Sequence, residues 1–230
     1  MAHLIDRTPE FTHAIERTNL PRFLSMADTM DGVCHPALLQ TNGREQSLLF
    51  SQPAYRTLGN RLVATERTAA HLRTLLNQDG LLSFSALEAL PRMVIGHSRD
   101  RVYGQAIDGF LKRMRDRRET YDVVSTMTAM RMLAAGRLDY TFAAPVQAGY
   151  YFARNRRLPG TRLTSFALEN VPAVSQSHVV CSRGPVSEKL IARVNSLISG
   201  PEFRAAWWPT YERWLDADAR SDAQRLLPAP

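Results

Sequence analysis

The sequence predicts an α/β protein. Strand-like and helix-like segments alternate along the chain, and no repeat or low-complexity segment interrupts them. The 230 residues are 44% hydrophobic, which is enough for one large core or two modest ones. No stretch approaches the roughly 20 apolar residues of a membrane-spanning helix. The start, "MAHLIDRTPEF", lacks the pattern of a signal peptide, so we expect the chain as written to remain in the cytoplasm.

Hydrophobic periodicity, together with Gly, Pro and helix-capping signals, predicts the individual elements. The elements predicted in the first eighty residues are, in order, strand "FTHAIERT", helix "PRFLSMADT", strand "GVCHPALL", strand "NRLVAT" and helix "LRTLLNQDG". The last helix is expected to end at Gly80, because glycine readily adopts the left-handed conformation that stops a helix.

A strand that runs into a helix follows at "RMVIGHSRDRVYGQAIDGFLKRM". Ser98 is placed as the N-cap of this helix, and the bare backbone amides behind it suit an anion. The apolar face predicted for the helix consists of Val102, Ile107, Phe110, Leu111 and Met114.

The second half of the chain continues the alternation and ends in an aromatic tail. Its predicted elements are strand "YDVVS", helix "TMTAMRMLAAG", strand "LDYTF", strand "SHVVCS" and helix "GPVSEKLIARVNSLI". The tail "EFRAAWWPTYERWL" is expected to dock on a core face, and "DADARSDAQRLLPAP" is expected to be a fraying terminus.

Charge and residue spacing exclude several kinds of partner. The net charge is +7, but the basic residues are scattered and no nucleic-acid-reading motif accompanies them. The histidines show no metal-ligand spacing and no glycine loop could cradle a phosphate, so we expect no metal, cofactor or nucleic acid. Cys34 and Cys181 are either two buried thiols or one long-range disulfide.

Catalytic arrangements do not fit the sequence either. His97, Ser98 and Asp100 are neighbours, but adjacent side chains on a strand point apart, and Asp100 replaces the second glycine of a nucleophile elbow. Cys34 beside His35 fails for the same reason, since a thiolate–imidazole pair normally meets through the fold. We therefore expect no enzyme.

Five segments together resemble a known family. They are "LLQTNGREQSLLFSQPAY", "RLVAT", "ALEALPRMVIGHSRDRVYG", "MRMLAAGRLDYTFAAP" and "VVCSRGPVSEKLIARVNSLISGPEFRAAW". In this order, which covers most of residues 10–215, the chain resembles the type II periplasmic solute-binding proteins of ABC transporters, which include amino-acid-binding proteins. The resemblance implies two α/β lobes, each a sheet flanked by helices, joined by two crossing strands with ligand in the cleft. Lobe one would comprise residues 1–56 plus 175–230, and lobe two residues 57–174.

The resemblance also implies ligand-binding residues. Arg44 matches an arginine that grips the ligand carboxylate, a task that suits a guanidinium fork, and Thr41 would add a hydroxyl or amide. Ser98 and Arg99 match a lobe-two loop that offers hydroxyls and amides to the same group. Where amino-acid-binding members carry an acidic residue for the ligand ammonium, this chain has Ala143 and Ala144.

The function implied is the non-catalytic binding of a small polar, anionic solute by a monomer, for transport or sensing, with a membrane permease or sensor as partner. The resemblance implies the periplasm, an oxidising compartment in which Cys34 and Cys181 could be bridged. It places Asp139 at the start of a strand as a structural hydrogen-bonding residue.

Two alternatives stay open. The first is a cytoplasmic effector-binding domain of a transcription regulator, a class that uses the same two-lobed scaffold but also needs a DNA-reading helix-turn-helix. The second is a truncated fragment that binds nothing. The family's domains open with a strand in the middle of the lobe-one sheet, and this chain is expected to lack that strand.

Overall fold

The structure, a computed structural model, describes residues 2–91, 93–99, 101–117, 120–155 and 162–227. Asp100, considered above as a catalytic candidate, and the end of the predicted fraying terminus lie outside the described residues. The described strands are β1 (Cys34–Leu38), β2 (Leu48–Leu58), β3 (Arg61–Thr65), β4 (Ile95–Ser98), β5 (Thr120–Val123), β6 (Tyr140–Ala143), β7 (Leu163–Phe166) and β8 (Val174–Ser182). The described helices are α1 (Ala2–Asp6), α2 (Leu20–Ala27), α3 (Asn42–Glu45), α4 (Glu66–Leu72), α5 (Phe84–Ala89), α6 (Gln105–Asp116), α7 (Thr126–Ala134), α8 (Pro145–Arg154), α9 (Pro185–Ile198), α10 (Pro201–Glu212) and α11 (Ala217–Leu226), with a 3-10 helix at Arg73–Leu75.

The chain divides into two compact units. Among the described residues, unit one contains 2–57 and 175–209, and unit two contains those of 58–174 and 210–227. The divisions near residues 57 and 174 fall at the end of β2 and the start of β8, within one residue of the expected lobe boundaries. None of the helices in the described ranges has the length and apolar character needed to cross a membrane.

The C-terminal segment corrects the expected division, which placed all of 175–230 in lobe one. Residues 210–227 belong to unit two, because their polar side chains bond its strands. Tyr211 Oη accepts a hydrogen bond from the Leu58 backbone N–H at 2.8 Å, and Asp216 accepts one from the Ser165 hydroxyl at 2.7 Å. The prediction of a fraying terminus is wrong for the described part, where α11 buries Ala219 and Ala223.

Unit one is built on a three-stranded sheet with the order β1-β8-β2. Successive β8 side chains point to opposite faces, so each face buries its own cluster. Val180 packs among residues of α2, β1 and β2, whereas Val179 and Cys181 pack against residues of α9 and α10. Helices therefore cover both faces of this sheet.

A disulfide joins the two cysteines of unit one. Cys34 of β1 and Cys181 of β8 are directly opposite in the antiparallel register, and their Sγ atoms are 2.05 Å apart. Of the two alternatives that the sequence left open, the structure shows the bridge. It links residues separated by 147 positions and so closes a large loop.

Unit two is built on a mixed five-stranded sheet with the order β5-β4-β6-β3-β7. β4 runs parallel to both β5 and β6, whereas β3 runs antiparallel to β6 and β7. The carboxyl ends of β4, β5 and β6 therefore meet at one edge of the sheet. The amino end of β3 lies at the same edge, since Arg61 is opposite Ala143. We call it the carboxyl edge.

Both faces of the unit-two sheet are buried. Leu62 and Ala64 of β3 face a cluster that includes α6, and Val63 between them faces a cluster that includes α7 and α8. Four of the five residues predicted to form the apolar face of α6 are buried, namely Ile107, Phe110, Leu111 and Met114. Val102 is exposed because the helix begins only at Gln105.

Asp139 has the structural role expected of it. Its Oδ2 accepts a hydrogen bond from the Val94 backbone N–H at 2.7 Å, and its own N–H donates to the Val94 carbonyl at 2.8 Å. These two bonds hold together the segments that lead into β4 and β6. The prediction that Asp139 is a structural residue is confirmed.

Two predictions about the first half of the chain are wrong. "FTHAIERT" forms no strand: Ile15 is 80% exposed, and Glu16 lies in a surface ion pair with Arg22, so the segment has no face to bury. Helical structure ends at Leu75, and Gly80, whose φ is +72°, belongs to a later turn. Asn77 closes that turn by accepting hydrogen bonds from the Asp79 and Leu81 amides.

Candidate functional site

Arg44 and Thr41 lie together in unit one. The Thr41 carbonyl accepts hydrogen bonds from the backbone amides of Arg44 and Glu45, at 2.9 and 3.1 Å. The Arg44 side chain is partly buried and donates to the Leu39 carbonyl at 3.1 Å. Burial lowers the pKa of Arg44. The pKa of nearby His35 is lowered mainly by burial and also by the positive charge of Arg44. No ion pair of the described residues includes Arg44.

Ser98 and Arg99 lie in unit two, but not as the sequence predicts. Ser98 is the buried last residue of β4, and its backbone N–H donates to Tyr103 Oη at 2.8 Å. It is not the N-cap of α6, because a loop intervenes and Gly104, with φ at +107°, occupies that position. Arg99 is exposed, and its amide donates to the Val123 carbonyl at 2.8 Å.

The Asp108 side chain closes the loop that leads into α6. Its carboxylate accepts hydrogen bonds from the amides of Tyr103 and Gly104, each at 3.1 Å. Two amides just before the helix therefore already have an acceptor, and anion binding by the first-turn amides of α6 stays a prediction.

Arg101, two residues beyond Arg99, is the centre of a polar cluster that the sequence did not indicate. Its Nη1 donates to Thr126 Oγ1 at 2.8 Å and to Gln147 Oε1 at 2.9 Å. Its Nη2 donates to Asn60 Oδ1 at 2.9 Å. The guanidinium also lies 5.0 Å from the centroid of the Tyr103 ring. We call Asn60, Arg101, Tyr103, Thr126 and Gln147 the Arg101 cluster.

Strand order brings the Arg101 cluster together at the carboxyl edge. Arg101 and Tyr103 lie in the loop after β4, Thr126 is the first residue of α7 beyond β5, and Gln147 is the third residue of α8 beyond β6. Asn60 immediately precedes β3. In open α/β sheets, ligands bind outside the carboxyl ends of the parallel strands. The Arg101 cluster therefore occupies the position in unit two where a ligand is expected.

Among the described residues, the side chains that accept hydrogen bonds from Arg101 are all neutral. Thr126, Gln147 and Asn60 supply hydroxyl and amide oxygens, and no described ion pair includes Arg101. Burial lowers the pKa of Arg101 and raises that of Tyr103, as desolvation disfavours a cationic guanidinium and an anionic phenolate. Ala143 and Ala144, at the end of β6, contribute no acidic side chain, and the Ala144 amide donates to Gln147 Oε1 at 3.2 Å.

The sequence could not reveal this cluster because its members are far apart along the chain. The three acceptors are separated from Arg101 by 25, 46 and 41 residues. The sequence did show that a polar residue lies shortly after each of three predicted strands: Arg101 after β4, Thr126 after β5 and Gln147 after β6. Converting that signal into a site requires knowing that β4, β5 and β6 are parallel neighbours.

A cavity of about 680 Å³ lies elsewhere in unit two, between α8, β7 and the C-terminal segment. Its lining combines apolar residues such as Phe152 and Trp214 with the charged side chains of Arg162, Arg213 and Asp216. Asp216 is already committed to the Ser165 hydroxyl and to the amino end of α11. None of the lining residues belongs to the Arg101 cluster, and within the described residues no group of three potential metal ligands is assembled.

Solved structures share this fold. The chain is similar to a histidine kinase sensor domain described as similar to periplasmic binding proteins, with 19% identity, a TM-score of 0.57 and coverage of 99% of this chain and 85% of that one. It is similar to the periplasmic VFT2 domain of Bordetella pertussis BvgS, with 19% identity, a TM-score of 0.61 and coverage of 92% and 79%.

A third similar structure is an amino acid ABC transporter substrate-binding protein from Streptococcus pneumoniae bound to L-arginine. It is 17% identical, with a TM-score of 0.62 and coverage of 95% of this chain and 79% of that one. No protein-family model and no curated protein matches the sequence. The chain therefore has the α/β fold of periplasmic-binding-protein-like domains, a fold used by both solute-binding proteins and sensor domains.

Proposed function

We propose that this protein binds a small polar, anionic solute without transforming it, and that binding serves transport or sensing. The observation that carries the proposal is the Arg101 cluster: a guanidinium with only neutral described acceptors, held where α/β sheets bind ligands. A partly buried cation is stabilised when an anion joins it, so a solute with an acidic group is the complementary ligand.

Arg44 binds one acidic group, as the resemblance implies, with Thr41 beside it. Its partial burial and the lack of a described ion pair support that role. Ser98 and Arg99 are proposed as secondary contacts in unit two. Binding would shift a conformational equilibrium of the protein, which a permease or a sensor would detect.

Proteins of the same fold serve both uses, transport and sensing. One of the similar structures is described as an ABC transporter substrate-binding protein, and two are described as a histidine kinase sensor domain and a periplasmic domain. These descriptions support solute binding in the periplasm, with transport and sensing as the two uses.

A thermal-shift screen tests the proposal directly. The panel contains monocarboxylates, dicarboxylates, inorganic phosphate, and neutral and cationic amino acids. We expect acidic solutes to raise the melting temperature, because a ligand that binds only the folded state stabilises it by an amount that grows with the logarithm of the ligand concentration once this exceeds the Kd. If no acidic solute raises the melting temperature, or if only cationic amino acids do, the proposed function is wrong.

The role of Arg44 is tested with a matched pair of variants. Arg44→Gln removes the proposed carboxylate-binding fork, whereas Arg17→Gln removes the charge of an exposed arginine in the same unit. We expect the first variant to lose most of the shift caused by the best acidic solute, and the second to retain it. Equal shifts in the two variants would contradict the assignment of Arg44.

A further inference from the structure

We propose that the cavity between α8, β7 and the C-terminal segment is a binding site for a small carboxylate with an apolar body. The cavity has a volume of about 680 Å³, and every residue that lines it belongs to unit two. It shares no residue with the Arg101 cluster or with the four predicted ligand-binding residues. The inference therefore goes beyond the proposed function and does not rest on it.

The cavity adjoins a close contact between α8 and the C-terminal segment. The helix approaches at Gly149, where a Cβ would overlap the carbonyl oxygen of Trp214. Phe152 and Ala153 lie three and four positions further along α8, and so on the same face of the helix as Gly149. These two residues and Trp214 line the cavity. Its volume lies within the range of roughly 300–1,000 Å³ that is usual for small-molecule sites.

Much of the lining is apolar and held in place. Leu163 and Leu215 are only 6% and 5% exposed, and Phe152 and Trp214 are half-buried. The Trp214 ring packs edge-on against the ring of Tyr150, with centroids 5.5 Å apart. An apolar ligand body would remove this surface from water, which is the main source of affinity in such a site.

Two arginines give the cavity a cationic side. Arg162 and Arg213 line it and are both exposed, unlike Leu163 and Leu215. The Arg213 guanidinium lies 4.6 Å from the centroid of the Trp214 ring, so a cation is held beside the aromatic wall. No described ion pair includes either arginine. A ligand carboxylate is the group that guanidinium donors bind best.

The acidic side chains near these arginines are engaged elsewhere. Asp216 lines the cavity, but one of its oxygens accepts a hydrogen bond from the Ser165 hydroxyl and the other caps α11. Glu66 forms an ion pair with Arg73 at 2.6 Å. The pKa of Glu66 is lowered mainly by its hydrogen bond with Arg73 and least by the charge of Arg162. Two arginines and one committed carboxylate leave the lining with a net positive charge.

The test uses calorimetric titration of the full chain with 3-phenylpropionate and octanoate, two carboxylates with apolar bodies. Each has controls that remove one feature: propionate lacks the apolar body, and 3-phenylpropanol and octanol lack the carboxylate. We expect at least one of the two acids to bind, and its controls to bind about tenfold more weakly or worse. If neither acid binds, or if the matched alcohol binds as tightly as the acid, the proposal is overturned.

A blocking variant locates the bound acid. Ala153→Phe places a large side chain in the cavity and should weaken binding by about tenfold or more. Because it fills empty space, the melting temperature of the ligand-free variant should equal or exceed that of the parent protein. Unchanged binding in a folded Ala153→Phe protein would overturn the proposal.

A charge variant tests the arginines and does not depend on the folding of the blocking variant. The double variant Arg162→Gln/Arg213→Gln should weaken the acid by about fivefold or more and leave the binding of the alcohol unchanged. Arg131→Gln/Arg137→Gln removes two exposed arginines of unit two that do not line the cavity, and should bind the acid within about twofold of the parent. Equal binding of the acid by the two double variants would overturn the proposal.

Discussion

The guanidinium of Arg61 lies 2.6 Å from the carboxylate of Asp222 and so ties the first residue of β3 to the final helix α11. The Arg61 side chain is only 6% exposed and that of Asp222 is 27% exposed. Together with the bonds made by Tyr211 and Asp216, this ion pair makes the C-terminal segment an integral part of unit two.

Breaking that ion pair is expected to destabilise the protein. Asp222→Asn leaves the buried Arg61 cation without its carboxylate, which should lower the free energy of unfolding by about 2–3 kcal/mol, below the range for fully buried pairs because Asp222 is partly solvated. Asp218→Asn, an exposed position on the same helix, is the control and should change stability by less than about 0.5 kcal/mol. Urea unfolding measures both, and equal losses would contradict the role of the pair.

The buried phenol of Tyr211 should make the protein less stable at alkaline pH. Burial raises its pKa to about 12, above the ordinary value of 10, so the folded state holds the phenol proton more tightly than the unfolded state does. The stability gained in this way is complete below pH 10 and is lost as the pH rises toward 12. Urea unfolding measured across this pH window should show that the free energy of unfolding falls. The fall should be smaller in Tyr211→Phe, and in Tyr121→Phe, a control at an exposed tyrosine, it should equal that of the parent protein.

Tyr211→Phe should also lower stability at neutral pH by about 1 kcal/mol, because the Leu58 amide loses its acceptor. If the alkaline fall persists undiminished in Tyr211→Phe, another group is responsible for it.

Two helical glycines of unit two should respond in opposite directions to alanine. At Gly149 of α8, a Cβ would overlap the carbonyl oxygen of Trp214, so Gly149→Ala must push the C-terminal segment away. At Gly109 of α6, a Cβ would meet only Arg113 Nη1, at 3.6 Å. We expect Gly149→Ala to lose about 2 kcal/mol or more. Gly109→Ala should gain about 0.5–1 kcal/mol from helix propensity. Thermal unfolding compares the two, and a stable Gly149→Ala protein would refute the close approach.

The disulfide should contribute substantially to the stability of unit one. Replacing both Cys34 and Cys181 by serine removes a cross-link between residues 147 positions apart, and we expect a loss of about 2–5 kcal/mol in the free energy of unfolding. Unfolding of the parent protein in a reducing buffer should match the variant in an oxidising one. Identical unfolding of the parent with and without reductant would show that the bridge does not form.

The sequence predicted six of the eight described strands and the helices α2, α6, α7 and α9, whose apolar periodicity is local, but it did not predict β2, β7, α8 or α10. Ile107, Phe110, Leu111 and Met114 illustrate this, since a helical spacing alone places them on one buried face. The segment around Ile15 shows the limit: weak alternation resembles a strand, but only neighbouring strands decide whether one forms. The polar composition of α11 likewise concealed a helix that buries only small residues, Ala219 and Ala223.

The site was less predictable than the fold. Arg44 emerged from a sequence resemblance, and Asp139 from its position at the start of a strand. Arg101 was not predicted, because its hydrogen-bond partners are far away along the chain and none of its described partners is acidic. Neither feature produces a periodic pattern in the sequence. The sequence pointed to Arg99 instead, which the structure leaves exposed.

Calorimetric titration of the full chain with a series of acidic solutes tests the proposed function most directly. We expect saturable one-to-one binding of an acidic solute that weakens as the salt concentration rises, and no binding of neutral amino acids. Tighter binding of a neutral or cationic amino acid than of every acidic solute, or no heat with any anion, would contradict the proposal.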